Sequence, residues 1–333
     1  MHIILSNPGT LLRSKDGSFL IVQDEEERVV PPSKVRSITL SRGARITSDA
    51  IILAIRNNVD VIITDEFGNA LGRVWSVKYG SISTIRKNQL AFFYSPLAIG
   101  WIKDLVKEKI RKSIALLRTL LKDKPDDVRE KVEKAIGQMR DYIDKIDSVD
   151  EDLPWHDIIA EIRGWEGIAG KRYFEALSLL VDEKWRPKGR TKHPPKDPFN
   201  AMLSYAYGIL YSRVEGALIK AGLDPYVGIY HRDEYNRPAL VYDFIEKYRH
   251  WMDYVAVALA NSGSLSEEMF VFEDGACWLD QLGKRVVAQA SIDYLSEIVT
   301  LNGVKRSREE HIQRDAHAFA KFLLSLEGKL PNV

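Results

Sequence analysis

Apolar positions change period partway along the chain. Up to about residue 85 they come in short runs, such as Ile3-Ile4-Leu5 and Phe19-Leu20-Ile21-Val22, broken at Asn7-Pro8-Gly9 and Lys15-Asp16-Gly17. Short runs bounded by turn residues predict strands joined by tight turns. A short helix is expected over Ser48 to Asn57, opened by Ser48-Asp49 as its cap. The buried-strand run Val61 to Thr64, a turn at Glu66 to Asn69 and a strand over Ala70 to Val77 follow.

From about Tyr94 the apolar spacing becomes three and four. Ile102, Leu105, Val106, Ile110, Ile114, Leu117 and Leu121 mark one amphipathic helix. After Pro125-Asp126-Asp127, the positions Val128, Val132, Ile136, Met139, Ile143 and Ile146 mark a second, which predicts a helical hairpin with charged outer faces. Further helices are expected over Trp155 to Asp182, Phe199 to Ala221, from Pro238 through Leu259, Trp278 to Val299, and from a capping box at Ser307 and Glu310 through Leu326. The fold class is therefore α+β: a small β-rich N-terminal domain, 1–85, a linker, 86–94, and a larger all-α C-terminal domain, 95–333.

Composition narrows the classes without choosing one. Lys plus Arg number 48 against 47 Asp plus Glu, so any polyanion-binding surface has to arise from local segregation of charge. The single cysteine, Cys277, excludes an intramolecular disulfide and a multi-cysteine zinc site. No apolar run approaches the ~20 residues of a membrane span and the first residues carry no secretory pattern, so a cytoplasmic protein is expected.

Two stretches depart from simple packing. Glu166 falls inside the apolar stripe of its helix, among Ile158, Ile159, Ile162, Ala169, Tyr173, Leu177 and Leu180, where a carboxylate needs a cation or good donors. Gly164, Gly167 and Gly170 flank it and suggest close approach of another backbone or a ligand. Glu166 then either meets a ligand, caps a neighbouring helix or pairs with an arginine such as Arg172 or Arg249. In GLDPYVGIYHRDEYNRPALVYDFIEKYRHWMD, from Gly222 to Asp253, His231 precedes a helix carrying Asp243 and Glu246 one turn apart. A carboxylate and imidazole set with few ligands suits magnesium or manganese; the alternative is a structural histidine and a solvated acid pair. The loop RPKGRTKHPPKDP, from Arg186, is either solvated or a phosphate contact.

These motifs carry a resemblance. EGIAGKRYF from Glu166, the GR loop with DPFNAMLSYAYGIL from Asp197, GLDPYVGIYH ending at His231, and LVYDFIEKYRHWMD ending at Asp253 resemble the CRISPR-associated endonuclease and integrase family, the first of the two core CRISPR adaptation proteins. The match covers most of residues 160–260. It implies that Glu166, His231 and Glu246 are the catalytic metal ligands for Mg2+ or Mn2+, with Asp243 in support. Glu246 is the longer acid where some relatives carry aspartate, and Trp185 stands where relatives often carry phenylalanine. The resemblance also implies DNA as partner (branched, duplex, CRISPR repeat and spacer precursor), a homodimer joined through the β-rich domain, and a small ferredoxin-like second adaptation nuclease.

The expected activity is metal-dependent cleavage of DNA by water and insertion of short spacers by 3′-hydroxyl attack on a phosphodiester. Lys171, Arg172, Arg190 and Arg249 are expected to bind DNA, by their nearness in sequence to the ligands. A metal-dependent hydrolase of another phosphate substrate and a non-catalytic architectural DNA-binding protein are the alternatives.

Overall fold

A computed structural model describes residues 1–65, 68, 70–74, 83–231, 237–326 and 328–331. The N-terminal half begins with β1 (His2–Leu5), β2 (Leu11–Lys15), β3 (Ser18–Gln23), β4 (Glu26–Val30), β5 (Ser37–Leu40) and β6 (Arg45–Ile46). It continues through α1 (Ser48–Arg56), β7 (Asp60–Thr64) and β8 (Ala70–Val74). Two four-stranded sheets result, ordered β4-β3-β2-β6 and β1-β5-β7-β8. The β2–β3 hairpin closes at Asp16 and Gly17, both at positive φ (50° and 71°), the left-handed pair that a tight two-residue turn demands. Parallel pairing of β5 with β7 needs a crossover, which α1 supplies. Thr47, one residue earlier than expected, caps α1 by accepting from the Ala50 amide. Ala50 and Ala54 let α1 lie close over a core of Leu12, Phe19, Ile38 and Val61. Of the strand expected to reach Val77, residues 75–77 lie outside the described residues, as do 66, 67 and 69 of the turn before it.

The helical half comprises α2 (Ser83–Phe93), α3 (Leu97–Leu120), α4 (Asp126–Asp147), α5 (Trp155–Ser178), α6 (Pro198–Lys220), α7 (Ala239–Ile245), α8 (Arg249–Asn261), α9 (Gln281–Ser296) and α10 (Arg308–Ser325). Of the stretch 86–94, read from sequence as a linker, residues 86–93 are helical as part of α2, and Ile85, Gln89, Ala91 and Phe92 of that helix are buried. Helices α3, α4 and α5 pack side by side through the apolar stripes that their sequences show. Lys103, almost wholly buried, ties α3 to the end of α4 by donating to the carbonyls of Asp147 and Val149 at 3.2 and 2.6 Å. α6 is apolar nearly all round and runs through the middle, against α7, α8, α9 and α10.

Three details differ from the sequence pattern. The helix expected from Pro238 through Leu259 is interrupted after Ile245 and restarts at Arg249. The helix expected to reach Val299 ends at Ser296, and Asn302-Gly303 turns a hairpin of β11 (Ile298–Leu301) and β12 (Val304–Ser307). A second hairpin, β9 (Phe270–Glu273) with β10 (Ala276–Leu279), precedes α9, so the helical half also holds two small ribbons.

The halves meet across a polar seam. Arg73 of β8 donates to the Ser212 carbonyl at 2.5 Å and to Glu215 at 3.2 Å, and Lys220 reaches Asp60 at 2.9 Å. No helix among the described residues is long and apolar enough to cross a membrane.

Candidate active site

The loop between α6 and α7 is shaped from both sides. Gly222, at φ 82°, turns the chain out of α6. Gln89 of α2, fully buried, donates to the carbonyls of Asp224 and Val227 at 2.8 and 2.7 Å and accepts from the Asp224 amide at 2.9 Å. At Gly228 any Cβ would lie 2.2 Å from the His231 carbonyl oxygen and 2.6 Å from the Ala239 Cβ, so only glycine lets the loop fold back onto the start of α7. Asp243, wholly buried on α7, then collects successive amides: Ile229 and Tyr230 on Oδ2 at 2.6 and 3.1 Å, and His231 on Oδ1 at 2.9 Å.

The same carboxylate sets the imidazole. His231 Nδ1 lies 2.8 Å from Asp243 Oδ1. Both carboxylate oxygens already accept amide hydrogens, so Nδ1 carries the proton and donates, leaving the Nε2 lone pair directed away from Asp243. Asp243 orients its partner from beneath the loop and is itself wholly buried.

Glu166, at the middle of α5, and Glu246, at the end of α7, face one another across a single cation. Lys109 of α3 places its ammonium 2.5 Å from Glu166 Oε1 and 2.7 Å from Glu246 Oε2. The other oxygen of each acid is held separately, Glu166 Oε2 by the Tyr230 hydroxyl at 2.5 Å and Glu246 Oε1 by Arg249 Nε at 2.8 Å. Burial pushes the Glu246 carboxyl up, but Arg249 and Lys109 outweigh it and hold the group below the usual carboxylate range, with His231 adding to the effect. Burial likewise lowers the Lys109 ammonium, and the Glu166 and Glu246 charges reverse that and raise it. Burial followed by the Glu166 charge drives the Tyr230 hydroxyl upward, so it stays a hydrogen-bond donor.

The break after α7 is what brings Glu246 here. With α7 ending at Ile245, Glu246 becomes the capping residue of that helix, and Arg249 in the first turn of α8 reaches back to it. Arg249 is fixed in turn by the Tyr211 hydroxyl at 2.8 Å and lies 4.8 Å from the Tyr207 ring centre. Gly164, Gly167 and Gly170 meet no protein atom where a Cβ would stand, so no backbone approaches them and that face of α5 is open.

The residues expected to bind DNA separate into different roles. Arg190 is spent inside the protein, donating to Asn200 Oδ1 at 2.8 Å and Ser204 Oγ at 3.2 Å, which fastens the basic loop to α6. Arg172 pairs with Glu175 at 2.9 Å along its own helix, and not with Glu166. Lys171 is exposed. Lys192, one of the basic residues of the loop read from sequence as solvated or a phosphate contact, is exposed, and its ammonium is lowered first by partial burial and then by the charges of Arg249, Arg190 and Lys109.

Among the described residues, no three His, Cys, Asp or Glu side chains come close enough together to grip a metal ion as they stand. The donor types nevertheless fit a hard divalent cation: two carboxylates and an imidazole Nε2 from three different elements. Glu246 Oε2 is shielded from water and, although paired in charge with Lys109, receives no directed hydrogen bond, so it retains lone pairs for a ligand.

Comparison with known proteins bears on the same region. The family described as CRISPR associated protein Cas1 matches residues 3–292. CRISPR-associated endonuclease Cas1 1 of Archaeoglobus fulgidus is 29% identical over 98% of this chain and 99% of its own. Among solved structures, a casposase bound to integration product superposes with a TM-score of 0.82 at 22% identity, covering 100% of this chain and 94% of that one. A Cas6-RT-Cas1–Cas2 complex superposes at 0.78 and 23% identity, covering 98% of this chain and 35% of that chain.

Proposed function

The chain belongs to the Cas1 family of CRISPR associated proteins, and from that premise we propose that it is a divalent-metal-dependent DNA endonuclease and integrase. Its chemistry is phosphoryl transfer to water, which cleaves, or to the 3′-hydroxyl of a short DNA, which inserts that DNA into the CRISPR repeat. The observation that supports this reading is the pairing of Glu166 and Glu246, carried by different helices, across Lys109, with His231 held by Asp243 from the same helix that Glu246 caps.

Glu166, His231 and Glu246 would hold Mg2+ or Mn2+. When bound, that ion supplies positive charge to the phosphate oxygens and acidifies the attacking hydroxyl. Arg249 and Tyr230 keep each glutamate from rotating, and Asp243 engages Nδ1 of His231 so that the Nε2 lone pair is left for a ligand. Lys192 and Lys171 are exposed to meet non-bridging oxygens of the DNA backbone. The attacking oxygen bonds to phosphorus as the leaving oxygen departs with the strand, so the transfer needs no covalent protein nucleophile.

The casposase bound to integration product supports strand transfer as the chemistry of this fold, and the Cas1–Cas2 assembly supports a small ferredoxin-like second nuclease as partner. A homodimer joined through the β-rich half completes the reading. The test is cleavage and strand transfer on branched DNA with Mg2+ or Mn2+, comparing the unaltered chain with Glu166→Ala, His231→Ala and Glu246→Ala. Activity that persists in all three variants overturns the assignment. Metal-dependent turnover of other phosphates without DNA binding would favour the hydrolase alternative, and DNA binding without turnover the architectural one.

A further inference from the structure

Lys109 stands where the proposed site would have to receive a metal. Its ammonium is the only group touching Glu166 Oε1 and Glu246 Oε2 among the described side-chain contacts, at 2.5 and 2.7 Å, and these are the two oxygens that Tyr230 and Arg249 leave uncommitted. Two carboxylates turned toward each other at low exposure repel, and an intervening cation is needed to hold them in that arrangement. A lysine meets the need in a particular way: a compact charge on a flexible four-carbon stem, unlike the Arg249 fork, which is clamped by Glu246 and Tyr211. Lys109 is also a quarter exposed while Glu246 is nearly covered, so its stem has a route outward.

We propose that Lys109 is an exchangeable placeholder, keeping the two glutamates assembled in the metal-free protein and leaving the position when a divalent cation enters. The inference rests on the metal-site reading above. An ammonium and a divalent ion repel at such separation and cannot share the two oxygens, so loading and withdrawal of Lys109 are one exchange. Metal affinity is then reduced by the stability of the lysine-bound state, as for any protein whose binding-competent state is a minor one.

The test measures binding and stability, not turnover. Lys109→Met, and Lys109→Gln should the first fail to fold, are titrated with Mn2+ by electron paramagnetic resonance and melted in chelator and in excess Mn2+, beside the unaltered chain. Binding tightened by roughly tenfold, with a melting temperature lowered in chelator and recovered in Mn2+, is the expected result. In the unaltered chain labelled at lysine Cε, the Lys109 resonance should move on addition of diamagnetic Mg2+, and a resonance that stays in place at saturating Mg2+ overturns the exchange. Equal or weaker Mn2+ affinity in the variants overturns the placeholder while leaving the metal site intact. Failure of every form, unaltered chain included, to bind Mn2+ overturns the metal site and the placeholder together.

Discussion

Two acids within one short stretch of sequence meet opposite fates. Asp253, on α8, is buried with both oxygens closed by phenols: Tyr173 donates to Oδ2 and Tyr207 to Oδ1, each at 2.6 Å. Glu246, seven residues earlier, has one oxygen held by Arg249 and the other turned toward Glu166 across Lys109. Burial raises the Asp253 carboxyl, and the two phenolic hydrogen bonds only partly offset it. Facing cations, Glu246 goes the other way. The difference teaches what separates a closed acid from an exchangeable one in this fold: both oxygens of Asp253 are closed by neutral phenols, whereas Glu166 and Glu246 each turn one oxygen to a shared cation, Lys109.

Breaking the comparison at its chemical end has the largest expected effect. Glu246→Ala or Glu166→Ala should lower strand-transfer rate by about 10²-fold or more, as for loss of a group that positions transition-state charge, with circular dichroism and gel filtration unchanged. Asp243→Ala frees the imidazole and removes the acceptor of three amides. A loss of roughly 10–100-fold in metal affinity or rate is expected from an outer support of this kind, measured as Mn2+ titration beside activity, together with a lower melting temperature. Asp253→Ala should leave catalysis per folded molecule nearly intact and cost about 2–5 kcal/mol in stability, because two buried hydroxyls lose their acceptor; chemical denaturation reads it.

The smallest effect is the sharpest in sign. For Glu246, held below its unfolded value, the contribution to stability is present above the ordinary carboxylate range, about 4.3, and is lost as pH falls below it. For Asp253, held above its unfolded value, stability is greatest below about 3.9 and declines as pH rises through the folded value. In chelator, Glu246→Gln should therefore flatten the acid limb of a stability–pH curve and Asp253→Asn should steepen it. Matching slopes would mean that the two acids experience the same field, against the geometry.

The change of period near residue 90 was enough to read the order of a strand-rich half and a helical half, since strand and helix patterns differ in the spacing of apolar side chains. Glu166 stood out because a carboxylate interrupted an apolar stripe. The same test, applied to α3, would have found Lys109, which lies three residues after Val106 and one before Ile110, both buried. In sequence it sits within the charged run Lys107-Glu108-Lys109, which reads as a solvated face. The cation beside Glu166 is a lysine and not an arginine, since Arg172 turns along its own helix and Arg249 goes to Glu246. The interruption between α7 and α8 left no mark, because Glu246, Lys247 and Tyr248 carry no breaker and the bend is imposed by packing.

Gln89 has a consequence for anyone who would cut the chain. A fragment beginning at residue 95, the boundary suggested by the change of period, would be stripped of the amide that braces Asp224 and Val227. Its helices could assemble and the glutamates could still approach, yet the turn delivering His231 would have lost its backstop. A minimal catalytic unit of this protein therefore starts upstream of Ser83, where α2 begins.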